Sequence, residues 1–201
     1  MKDLSSAALA ATLALALSST VLFAAAPHVH GAGTLQLVLE GGSLNAELHL
    51  PAMDVVGFEH APRDAKDKDA VAKAVALLAD SRKVLEPPAA AQCTAAPGEV
   101  ESALLEDGHD DHGKDKHAHD QHEHEHEHEH EHGHDHPDGE VHADFDVAYR
   151  FDCRHPEAIK QIKINLFQQL SHLERLEVES VTPGGQRRQR LAPGQDTITL
   201  P

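Results

Sequence analysis

The 201-residue chain has no tryptophan, one tyrosine and five phenylalanines. Any core must be built mainly from Leu, Val, Ile and Ala, and base stacking on aromatic side chains is excluded as a binding mode. Positive charge is also scarce. Lys and Arg number 17 against 34 Asp and Glu, a formal net charge of −17 with histidine neutral. Phosphate binding needs a basic patch, so no nucleic-acid partner is expected. Beyond residue 26 no segment is apolar enough to span a bilayer. There is no P-loop, no GxGxxG and no Ser/His/Asp context, so the expectation is a protein without catalytic activity. What the chain has in excess is histidine, 19 residues in all.

The first 26 residues have the pattern of a signal peptide. Lys2 supplies a positive start, and Ala7 to Leu17 and Val21 to Ala26 supply apolar length. Ala24-Ala25-Ala26 offers an A-x-A cleavage pattern, with an earlier cut near Ser18 as the other option. A membrane anchor is the competing reading, weakened by the polar break at Ser18-Ser19-Thr20. Export also fits the two cysteines, Cys93 and Cys153, since an even number in a secreted chain points to one disulfide. Two free thiols or two metal ligands are the alternatives.

Hydrophobic patterning points to an α+β fold: small mixed sheets with one long and several short helices. Leu35, Leu37 and Leu39 alternate with polar neighbours, and after Gly41-Gly42 so do Leu44, Ala46, Leu48 and Leu50, which predicts a hairpin over 34–50. A turn of helix is expected near 53–58. A long helix is expected over 64–85, with Val71, Ala74, Val75, Leu78 and Leu85 on one stripe and Pro87-Pro88 as its stop. Residues 86–105 have the look of a connecting loop. From Val141 to Asp152 strict alternation predicts a strand with one buried face. A strand at 161–167, a short helix at 167–172, a strand at 174–181, a turn at Gly184-Gly185 and a last strand at 197–200 complete the chain. Residues 27–105 and 141–201 then form two halves of one domain, and patterning alone relates them as a diverged repeat.

Between the halves lies a segment of another kind. Residues 106–140 carry 14 acidic side chains against Lys114 and Lys116, and apart from Pro137 no apolar side chain larger than Ala118. Such a loop cannot offset the entropy of folding and is expected to be disordered without a ligand. It contains His109, His112, His117, His119, His122, His124, His126, His128, His130, His132, His134 and His136. Imidazole suits zinc, nickel and copper, and interleaved carboxylates ease the approach of a dication. Extended, the six histidines from His122 to His132 share one face at steps of about 6.6–6.8 Å. As a helix, His122, His126 and His130 form i, i+4 pairs. Many overlapping sites of similar energy favour several ions in fast exchange. The H-E-x-x-H frames within the repeat lack the packed helix and second shell of a metalloprotease.

Four more histidines are candidates for a tighter, ordered site: His28 and His30 flanking Val29, His60 after Glu59, and His142. His49, His155 and His172 have the pattern of ordinary polar-face residues.

Several stretches together resemble a known family. They are the H-x-H-G start, Glu47 to Pro62 (E-L-H-L-P-A-M-D-V-V-G-F-E-H-A-P), a Cys ahead of a His/Asp/Glu-rich loop, and A-Y-R-F-D-C followed by I-K-I-N-L-F. The family is that of ZrgA-type periplasmic zinc-binding proteins, and the similarity covers nearly the whole chain after residue 26. The resemblance implies export to the periplasm of a Gram-negative cell and zinc binding. It also implies a place beside a zinc import system of the ABC type. By position it implies that His28, His30 and His60 match recurrent His motifs and that Cys93 pairs with Cys153. A metal-delivery adaptor docking a membrane transporter is the alternative function. Nickel or copper is the alternative cargo, since ligand type alone ranks copper highest.

Overall fold

The structure, a computed structural model, describes residues 29–105 and 143–201. The alternating leucines form the expected hairpin, β1 (Ala32–Glu40) and β2 (Ser43–Pro51), with Leu35, Leu37, Leu48 and Leu50 buried on one face. Next come α1 (Ala52–Val56), α2 (Ala65–Leu78), α3 (Ser81–Val84), and the short strands β3 (Leu85–Glu86), β4 (Cys93–Ala95) and β5 (Glu99–Glu101). After residue 142 follow β6 (Asp144–Cys153), β7 (Gln161–Ile164), α4 (Leu166–Gln169), β8 (Arg175–Thr182), β9 (Gly185–Leu191) and β10 (Thr197–Thr199). Among the described residues no helix is long and apolar enough to cross a membrane.

The strands form two sheets. The large one runs β4-β6-β2-β1-β8-β9, with β5 also on β6, and is antiparallel except where β1 meets β8. The small antiparallel sheet runs β10-β7-β3. One buried cluster joins Leu35, Leu48, Phe145, Phe151 and Leu176 of the large sheet to Leu78 of α2 and Ile162 and Ile164 of the small one. The opposite face of the large sheet is polar and open, as its strict alternation requires.

Three expectations are corrected. The long helix ends at Leu78, not 85. Gly98 donates its N–H to the carbonyl of Ala79, and the buried Ser81 hydroxyl donates to Ala96, so tertiary bonds capture the chain and break the helix. Leu85, at helical spacing from Leu78, is buried as a strand residue opposite Ile164. The supposed loop 86–105 contains β4 and β5, which pair with the edge of β6. Strands of three residues are too short to show a period. Finally, β9 went unanticipated because Gln186, Arg187, Arg188 and Arg190 give it no apolar alternation; it is an exposed edge strand.

The two halves are not built alike in space. β1 and β2 pair with each other, whereas β6 and β7 lie in different sheets. Cys93 and Cys153 sit directly opposite in the β4–β6 ladder and form a disulfide.

Candidate metal site

The H-x-H-G start owes its shape to Gly31. With φ at +79° it occupies the left-handed region, which a side chain disfavours. That conformation aims its N–H at Asp54 of α1, donating to both carboxylate oxygens at 2.8 Å. Its carbonyl accepts from the N–H groups of Glu174 and Arg175, each at 2.9 Å. The Glu174 side chain lies over the place a Cβ on Gly31 would occupy. One glycine thus ties together the start of β1, the helix after β2 and the start of β8, and it fixes where His30 stands.

The G-F-E-H-A-P stretch completes this corner. Gly57, at φ +85°, ends α1 in the left-handed conformation and turns the chain back. Glu59 then reaches His30, whose Nε2–H donates to Glu59 Oε1 at 2.9 Å. A carboxylate acceptor fixes the proton on Nε2 and the orientation of the ring. This is how a second-shell carboxylate orients a metal-ligating histidine. His60 stacks on Phe58 with ring centroids 4.8 Å apart, and its Nδ1–H donates to the Ala61 carbonyl at 3.0 Å. Its lone pair is thereby on Nε2.

Asp54 is buried and its carboxyl is pushed above the usual range, chiefly by loss of water. The Gly31 bond, His30 and His172 pull in the opposite direction, and Glu174 adds to the rise. His172 is exposed, in keeping with its reading as an ordinary polar-face residue. Asp54 and Glu174 were passed over in the sequence, although Asp54, an acidic residue inside a turn of apolar helix, was the available signal.

Of the anticipated ordered set, His30 and His60 lie on the described fold, while His28, His142 and the twelve histidines from His109 to His136 lie outside the described residues. His155 stands apart with Glu157 at 3.3 Å. Among the described residues, no three His, Cys, Asp or Glu already stand close enough to hold an ion. The corner presents oriented nitrogens beside carboxylates, a donor set suited to zinc. The two cysteines are withdrawn from ligation by their disulfide. A family model described as ZrgA family zinc uptake protein matches residues 27–200. No curated protein matches the chain.

Proposed function

The chain belongs to the ZrgA family of zinc uptake proteins, and from that premise we propose that it is a periplasmic zinc-binding protein that captures the ion, buffers it and assists its import. The observation that carries the reading is the composition of the segment inside the family match. Twelve histidines fall within residues 109–136, interleaved with carboxylates. Such a tract binds several ions at moderate affinity and lets them go quickly, which suits collection and hand-off. The His30 corner, with His60 next to Glu59 in the chain, is the proposed ordered site. Export is supported by the 1–26 pattern, immediately followed by the start of the family match, and by the disulfide. The role needs no catalytic step. Zinc is preferred over nickel and copper on the family's behalf, because the ligands alone do not choose.

Calorimetric titration tests this. The purified protein is expected to bind more than two zinc ions, and deleting 109–136 to remove most of that capacity while the fold survives by circular dichroism. Loading should fall as pH drops below about 6.5, where protons compete for imidazole. An unchanged stoichiometry after the deletion would overturn the reading.

A further inference from the structure

The open face of the large sheet carries a second set of metal-ligating groups, away from the His30 corner. His49 of β2 stands directly opposite Asp146 of β6, and Glu101 of β5 stands opposite Asp146 on its other side. Residues paired across a ladder share a face, and Asp144, two positions along β6, shares it too. His49 Nδ1–H donates to Asp146 Oδ1 at 2.8 Å. That bond leaves the lone pair on Nε2, which lies 3.8 Å from Asp144 Oδ1.

The surroundings carry one sign of charge. A groove of 440 Å³ is lined by Thr34, Gln36, Glu47, His49, Glu99, Glu101 and Asp146, among others. An adjoining hollow is lined by Glu101, Asp144 and Asp146 together with Leu105. Among the described residues lining either one there is no Lys or Arg. Five carboxylates on one face, with no cationic side chain among the described residues lining the hollows, make a negative patch that draws a dication. His49 sits on β2, held between β1 and β6, and Asp144 and Asp146 sit on β6, held against β2, while Glu101 comes from the short edge strand β5; closing on an ion then needs exposed side chains to turn.

We propose that this face holds a second divalent-cation site, with His49 Nε2 and the Asp144 carboxylate as ligands, Glu101 as a further oxygen donor and Asp146 as the positioning residue that orients the imidazole. One nitrogen with several oxygens suits a borderline dication, and zinc is the probe. The site deepens the zinc-handling reading and depends on it. Leu105 and Asp144, on either side of residues 106–142 in the chain, both line the adjoining hollow.

The test uses the full mature chain with the twelve tract histidines changed to glutamine, which lowers the background without altering length. In that chain His49→Ala or Asp144→Asn is expected to remove one zinc equivalent in calorimetric titration. Asp146→Asn should keep the stoichiometry and weaken that site by roughly tenfold or more, as loss of an orienting partner does. His155→Ala should change nothing. In the parent chain the His49 ring nitrogen resonances should shift on the first additions of zinc. If His49→Ala titrates like its parent, or the His49 resonances stay still, the contact with Asp146 is a surface ion pair only and the proposal falls. The tract-deletion experiment would be untouched by that result, so the two failures are distinguishable.

Discussion

Removing the disulfide offers a quantitative test of how the insert is mounted. Cys93 and Cys153 are separated by 60 positions, and everything from β5 through the histidine-rich segment to β6 lies in the closed loop. Cross-linking a loop of that length lowers the entropy of the unfolded chain enough to stabilise the fold by about 4 kcal/mol at 25 °C. The Cys93→Ala, Cys153→Ala double variant should therefore lose about that much in urea unfolding, followed by circular dichroism with a chelator present. Loop length enters only through its logarithm. Deleting the 28 residues 109–136 leaves a loop of roughly 32 residues, which should cut the contribution of the disulfide by only about 0.6 kcal/mol. The four variants form a cycle, intact or deleted, bridged or unbridged. A bridge worth less than about 1 kcal/mol in the intact protein would refute the reasoning. So would a bridge worth more after the deletion, because the loop would then not behave as an unstructured span in the unfolded chain.

Asp54 supplies a pH signature. Its carboxyl is raised above 3.8 by burial, so the native state holds its proton more tightly than the unfolded chain. Its stabilising contribution is complete below pH 3.8 and declines as pH climbs through the raised native value. Urea midpoints in chelator should show the wild type losing ground to Asp54→Asn over that window; a gain would contradict the assignment. Gly33 tests the packing beneath β1, because a Cβ there would lie 2.6 Å from Leu50 Cδ2 and 3.0 Å from Leu176 Cδ1. Gly33→Ala should cost about 1–3 kcal/mol in the same unfolding assay, and a neutral result would show that the two leucines yield freely.

What the sequence disclosed was whatever repeats. The β1–β2 hairpin and β6 were visible because leucines or aromatics recur at every second position, and the buried faces follow that period. After Pro156 the expected strand, short helix and strand are present as β7, α4 and β8. The hidden parts depend on single long-range contacts. Nothing local marks Gly98 as the residue whose N–H captures Ala79, or β4 and β5 as additions to β6. The site divides the same way. His30 and His60 were visible as motif histidines. Asp54 and Glu174 became visible only through Gly31, which ties α1 and the start of β8 to the start of β1. His49 looked like any polar residue on a half-exposed strand until its partner, Asp146, arrived from 97 positions away.

The one parallel pairing among the described residues, β1 with β8, sets the order in which the molecule can be finished. A strand near the front of the chain has its second neighbour supplied only by residues 175–182. A chain emerging from its amino end therefore carries a bare leucine-rich edge until almost all of it has been delivered. Closure has to span nearly the whole length, and such distant meetings are slow. Truncation anywhere ahead of residue 175 should leave a sticky, half-built sheet and no stable smaller version of the protein.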